Sequence, residues 1–224
     1  MEKFFLTFDD PNAIENFDRA RSFIPDLQQI NTKMSIADSH KMCGSLSLTN
    51  QFMVLDADAY LLDDFKMSEI YEITKDKNFV YIFSARNPVN DLEYGHGGVK
   101  IFQRNFFNNA DVVDFSTSFL GKIRPVKKTL NIHKFNASPF HAWRTAFREC
   151  VKLSSSTIIN RNSFDDEVRL TTWCEKFNDV DYAEFVKIGA VQGRDFGNSN
   201  KNNLQELKKV NDFAWLRKAY EQVV

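Results

Sequence analysis

The chain is short of the residues that staple small secreted proteins. It has three cysteines in 224 residues, Cys43, Cys150 and Cys174. They are far apart, with no CxxC and no metal-type spacing, which predicts reduced structural thiols rather than a disulfide framework. No apolar run approaches the roughly 18 residues of a membrane span. The start, MEKFFLTFDDPN, holds one lysine and a short hydrophobic patch before acid, unlike a secretory leader. Both readings predict a cytoplasmic protein with no membrane partner. An excess of one charge is missing too. A net charge of -1 and a pI near 6.4 give no overall basic footprint for nucleic acid, though a local patch remains open. Repeats and low-complexity tracts are absent. Phenylalanine is abundant, at 22 residues within a 43% hydrophobic, 26% charged composition, so a globular protein with an aromatic-rich core is expected.

The most informative stretch is Gln51 to Phe65, QFMVLDADAYLLDDF. Phe52 to Leu55 form a continuous apolar run, as suits a strand buried on both faces of a parallel sheet. The run stops at Asp56-Ala57-Asp58. In an extended chain, residues i and i+2 point to one side, which sends both carboxylates off the strand end together. Carboxyl ends of strands are where open α/β sheets bind ligands. Paired carboxylates there call for a cation, and oxygen ligands suit Mg²⁺ or Mn²⁺ carrying a phosphate-bearing substrate. The competing reading is a strand followed by a solvated acidic turn.

In chain order, Lys3 to Phe8 reads as a first strand. Asp10 is the expected N-cap and Pro11 the first position of a helix that Pro25 stops. Leu27 to Ile30 is a short strand. A helix over Ser35 to Leu48 carries His40 and Lys41, with Ile36, Met42, Cys43 and Leu46 as its buried stripe. After the DxD strand come a helix over Lys66 to Lys75 and a strand over Phe79 to Phe83. This alternation predicts a mainly parallel sheet with helices on its faces.

Three of the eight glycines fall within Gly95-His96-Gly97-Gly98. They read either as a hairpin before a strand at Val99 to Phe102 or as a backbone shelf for a sugar or phosphate, with His96 as a loop histidine. The one basic run, Lys122 to Lys134, reads as a lysine-protected edge strand or as a phosphate patch. Ser138-Pro139 opens a helix over Phe140 to Leu153, with Trp143, Phe147, Cys150 and Val151 on one face. Arg144, Arg148 and Lys152 form a basic stripe on another. A helix follows from Ser163, the expected N-cap, with Asp166 at N3. Asp165, Asp166 and Glu167 are also the later carboxylates available to a general base. Another helix over Asp181 to Ala190, a polar loop at Gly193 to Asn198 and a terminal helix over Asn203 to Gln222 complete the expectation.

Together, TFDDPNAIENF, ADSHKMCGSL, VLDADAYLLDDF, NPVNDLEYGHGGVKIF, SPFHAWRTAFRECVKLS and GRDFGNSN…NDFAWLRKAYEQ resemble GT-A-fold glycosyltransferases, and among them small enzymes of tailed phages and large DNA viruses. The resemblance implies one catalytic domain over 1–224, with a nucleotide-sugar half (1–105) and a mostly helical acceptor-side half (106–224). Its fold would be a GT-A-like, mixed, mainly parallel sheet flanked by helices. It also implies that Asp58 binds Mn²⁺ or Mg²⁺ and that Asp56 holds the ribose or assists the metal. His133 or His141 would be a further ligand. Thr7, Asp9 and Asp10 would lie near the base of a nucleotide-diphosphate sugar, a UDP-sugar foremost. His40, Lys41, Gly97, Gly98, Lys100, Arg144 and Arg148 are the other donor-binding candidates, the last three for the departing diphosphate. Asp166, with Asp165 beside it, is the candidate base of an inverting route; a retaining route would need none. The phage likeness implies double-stranded DNA with hydroxymethylated pyrimidines as acceptor, met by the basic run and stripe. A glycan or protein acceptor, a nucleotidyltransferase and a non-catalytic binding module are the alternatives.

Overall fold

The protein is described by a computed structural model covering residues 1–95, 98–106, 122–155 and 163–223. These residues divide into two compact units. The first holds 1–87, 93–95, 98–106 and 122–134; the second holds 88–92, 135–155 and 163–223.

The first unit is an eight-stranded mixed sheet. Its strands are β1 (Glu2–Thr7), β2 (Gln28–Asn31), β3 (Gln51–Asp56), β4 (Ala59–Leu61), β5 (Val80–Arg86), β6 (Glu93–Tyr94), β7 (Val99–Gln103) and β8 (Ile123–His133). The order is β2-β1-β3-β7-β5-β8-β4, with β6 on β5. The pairs β1–β2, β1–β3 and β5–β8 are parallel, while β7 runs antiparallel between β3 and β5. The mixed, mainly parallel α/β class predicted by the alternation is the class observed. Helices α1 (Ala13–Phe23), α2 (Ile36–Leu46) and α3 (Met67–Ile73) connect the early strands.

Burial on both faces explains the apolar run of β3. Met53 and Leu55 join Phe5, Tyr81, Phe83 and Ile101 in one core. Phe52 turns the other way and stacks on Phe102 at 5.6 Å between ring centres. Alternate residues of one strand therefore serve two apolar layers.

Two features of this unit shape its carboxyl end. Only Ala57 and Asp58 separate β3 from β4, yet three strands intervene between them in the sheet. Four strand spacings of about 4.8 Å far exceed the reach of three residues, about 10 Å, so the sheet curls until β4 closes back towards β3. The curl is made by β8, whose pairing with β5 shifts register on both sides of Ser84. Bulges of this kind bend a strand and increase its twist.

The second unit is helical: α4 (Pro139–Ser154), α5 (Ser163–Glu175), α6 (Ala183–Ser199), α7 (Leu204–Lys208) and α8 (Phe213–Glu221). Gly193 to Asn198, expected as a polar loop, is the last part of α6. Its glycines sit at every fourth position for a packing reason. A Cβ on Gly189 would lie 2.3 Å from the Trp143 carbonyl oxygen, and one on Gly193 2.3 Å from that of Phe147. Only bare backbone lets α6 lie this close to α4. The terminal helix is also not continuous. A short 3-10 turn at Lys209–Asn211 interrupts it, and the Asp212 side chain restarts it by accepting from the Ala214 and Trp215 amides.

Smaller corrections follow the same logic. The first helix starts at Ala13, not Pro11, because Asp10 turns its carboxylate back to the Phe8 amide at 2.9 Å. The buried face of α2 is Ser39, His40, Cys43 and Gly44, while Leu46 is half exposed. Among the described residues the lysine-rich part of β8 pairs only with β5, but its end, Asn131 to His133, lies between β5 and β4. Ser138 caps α4 as expected, with Pro139 in the first turn. All three cysteines are buried and unpaired by disulfides.

Replacing Gly193 by alanine separates packing from propensity. Helix propensity alone would raise stability by about 1 kcal/mol. The clash with Phe147 reverses the sign, and a net loss of about 1–3 kcal/mol is expected in urea denaturation.

Candidate functional site

The site is built where β3 leaves the core. Asp56 is its last residue, and its carboxylate oxygen Oδ2 takes both the Lys100 ammonium from β7 and the Gly98 amide at 3.2 Å. The Asp56 amide in turn donates to the Gly98 carbonyl at 3.2 Å. Gly98 has φ +93°, and a Cβ there would sit 2.2 Å from Asn131 Oδ1, so glycine is required twice over.

The chain then turns through Ala57 and Asp58. The Ala57 amide donates to the Leu6 carbonyl at 3.1 Å, and Asn16 Nδ2, from α1, donates to the Ala57 carbonyl at 2.7 Å. The Asp58 carbonyl accepts from the Lys134 amide at 2.7 Å. These bonds pin the turn from both sides. They leave the Asp58 carboxylate at the end of β8, where Oδ2 lies 2.8 Å from His133 Nε2. The side chains are 22% and 6% exposed, so the pair is largely shielded from water.

Of the two histidines that sequence offered as metal ligands, His133 is thus brought to the DxD turn from 75 residues away. His141 lies in the second unit, at the start of α4, with Nδ1 2.7 Å from the Ser138 hydroxyl. Among the described residues, no group of three His, Cys, Asp or Glu side chains gathers as a complete cation cage. Asp58 and His133 offer one carboxylate oxygen and one imidazole nitrogen. That donor pair would suit a divalent ion that also takes oxygen ligands from a phosphate-bearing substrate.

Other candidates are placed as follows. Thr7 is buried at the end of β1, where its carbonyl accepts from the Thr32 amide; Asp9, with φ +50°, is exposed in the next turn. His40 is buried under the sheet, with Nδ1 donating to the Ile36 carbonyl at 2.8 Å and its ring edge on Phe102. Burial, then the Lys100 charge, lowers its pKa from the ordinary 6.5 to about 4, so it is neutral at physiological pH. Lys41 lines an open pocket of about 350 Å³ with Gly44, Ser45 and Arg104. Arg104 is bonded to Asn50, the residue before β3, so this pocket belongs to the amino end of the strand. Gly97 and His96 lie outside the described residues.

The cations expected to meet phosphates have internal partners. Arg144 is buried against Phe140 and Phe213, and Arg148 donates to the Val210 carbonyl at 2.7 Å. Lys152 pairs with Glu149 at 3.1 Å. Along the basic run, Lys122 and Arg124 sit over Phe106 and Phe79, Lys128 pairs with Glu69, and Lys134 with Glu15. Lys122, Arg124 and Lys127 of the run are exposed, whereas Arg144 of the stripe is buried. Asp165 is exposed on α5, and Asp166 is 3.6 Å from Arg169 one turn on.

Sequence reasoning passed over Asn16 and Asn131. A buried asparagine inside a helix or strand is the only signal either gives, and it becomes visible only once burial is known.

No family model matches the chain, and no curated protein matches it. Among solved structures it is similar to A197 from STIV, at 13% identity and a TM-score of 0.41 over 58% of this chain and 83% of that one. It is also similar to TarS 1-349 of S. aureus, at 9% identity and a TM-score of 0.39 over 100% and 92%. A third likeness is to GalNAc-T7 in complex with UDP, GalNAc and Mn²⁺, at 9% and 0.33 over 83% and 50%. At such identities the likeness concerns fold alone. No helix among the described residues is long and apolar enough to cross a membrane.

His40 gives the unit a pH signature. Above pH 6.5 it is neutral whether the chain is folded or not. Below that, the unfolded chain takes up a proton that the folded one refuses until about pH 4. Stability should fall by about 1.4 kcal/mol per pH unit across this window, about 3 kcal/mol in all. Denaturant titrations of His40→Gln should lack that part of the slope.

Proposed function

We propose that the protein is a metal-dependent glycosyltransferase that moves a sugar from a nucleotide-diphosphate sugar, with UDP as the first nucleotide to test, to a hydroxyl acceptor. The observation that carries this reading is the Asp58–His133 pair at the carboxyl end of the sheet, beside a second carboxylate already neutralised by Lys100 and Gly98. Asp58 and His133 would hold Mn²⁺ or Mg²⁺, which supplies positive charge to a leaving diphosphate. Asp56 acts differently. Its carboxylate ties β3 to β7 and holds Lys100 at the rim of the site, where the ammonium is one exchange away from a phosphate oxygen.

The acceptor-side roles are expectations from sequence. Asp166, and Asp165 next to it, remain the proposed bases of an inverting route, with Arg169 paired to Asp166 at 3.6 Å. Hydroxymethylated DNA remains the acceptor that sequence resemblance favours. The helix stripe lends it little support, since Arg144 is buried and Lys152 pairs with Glu149; in the basic run Lys128 and Lys134 pair with carboxylates while Lys127 is exposed. A glycan or protein hydroxyl fits the same chemistry.

A thermal-shift screen of nucleotide sugars with and without Mn²⁺ tests the reading. At a ligand concentration 100 times Kd, stabilisation is about 2.7 kcal/mol, or about 5–10 °C for a chain of this size. Asp58→Ala and His133→Ala should abolish the metal-dependent part of that shift. If no nucleotide or nucleotide sugar gives a metal-dependent shift with the wild type, the proposal fails.

A further inference from the structure

Asn131 stands out as a polar side chain with nothing to bind. It is fully buried on β8, and neither Oδ1 nor Nδ2 has a hydrogen-bond partner. An amide buried in this state costs roughly 1–3 kcal/mol per unpaired group, so it is retained against a standing penalty. Its position is specific. It is two residues before His133 on the same strand face, about 6.6 Å along the chain from the proposed metal ligand. Its amide lies over the bare Cα of Gly98, the residue that hydrogen-bonds Asp56 through both its amide and its carbonyl.

We propose that Asn131 contacts the transferred sugar of the donor and helps to select it. This rests on the donor reading above. The chemistry favours a sugar over a phosphate. A phosphate oxygen only accepts, and would leave Oδ1 unpaired. Neighbouring hydroxyls of a sugar ring both donate and accept, and so satisfy both ends of the amide. The spacing agrees, because a sugar follows directly on the diphosphate that the ion at Asp58 and His133 would hold. Asn131 is fully buried with its amide against Gly98, so a sugar reaches it only when the amide turns about its broad χ2, which costs no hydrogen bond because neither end is bonded. A donor lacking the matching hydroxyls would leave the amide unpaired, and this is the situation in which a buried polar group discriminates most strongly.

The test compares Asn131→Ala with wild type by calorimetry in Mn²⁺, using UDP against UDP-glucose and GDP against GDP-mannose. Nucleotide affinity should change by less than about twofold, while affinity for the matching nucleotide sugar falls about tenfold or more, the worth of one hydrogen bond of this kind. Because no hydrogen bond is lost and the penalty of the unpaired amide is relieved, the melting temperature of the ligand-free variant should not fall by more than about 3 °C below wild type. Equal weakening of nucleotide and nucleotide sugar, or no change in either, would overturn the proposal. So would a large drop in melting temperature, which would show a structural role for the amide. Asn131→Ser serves the same comparison if the alanine variant does not fold. If wild type binds neither nucleotide nor nucleotide sugar, the donor reading itself has failed, a result distinct from a failure at Asn131.

Discussion

The constraint on which the first unit depends is the charge at the end of β3. A strand buried on both faces delivers its last residue, Asp56, to a place where water cannot fully solvate a carboxylate. The fold answers with Lys100 and the Gly98 amide on one oxygen. Much else follows from that answer. Lys100 must come from an adjacent strand, which fixes the register of β7 against β3, with Lys100 opposite Val54. Gly98 must approach within hydrogen-bond distance, and this requires positive φ and no side chain. Truncating Lys100 would leave the carboxylate without its counter-charge, a larger effect than losing an exposed ion pair.

Much of this unit could be read from sequence because it is governed by local rules. The strands were marked by continuous apolar runs, the capped α4 by Ser138-Pro139, and the candidate site by the DxD turn. What escaped was whatever depends on a distant partner. Nothing local says that His133 rather than His141 meets Asp58, because the choice is made by the curl of β8. Gly193 and Gly197 looked like loop residues because glycine normally ends helices. Their meaning lies in the α4 backbone, which they touch from some 45 residues away.

The helical unit shows why the abundant phenylalanines were informative and the basic stripe was not. Trp143 stacks on Phe147 at 4.8 Å, and Phe196, Trp215 and Tyr220 extend the cluster. Arginines placed among such rings bind their faces instead of solvent anions, as Arg217 does over Phe140 at 3.5 Å. A stripe at i, i+4, i+8 therefore identifies one helix face without saying whether that face meets water. Arg144, 8% exposed, shows that here it does not.

The i, i+2 argument for Asp56 and Asp58 needs the chain to stay extended, and it does not. The strand ends at Asp56, the turn takes Ala57 and Asp58, and β4 begins at Ala59. The two carboxylates are consequently given to different strands, Asp56 to β7 and Asp58 to β8. This separation makes them chemically unequal. Asp56 shares its Oδ2 between a cation and a backbone donor, so its charge is already balanced by Lys100. Asp58 faces an imidazole, a group that can give up its proton and present a lone pair to the same ion. Spacing in sequence identified the pair, and the turn between them decides which member is suited to a metal.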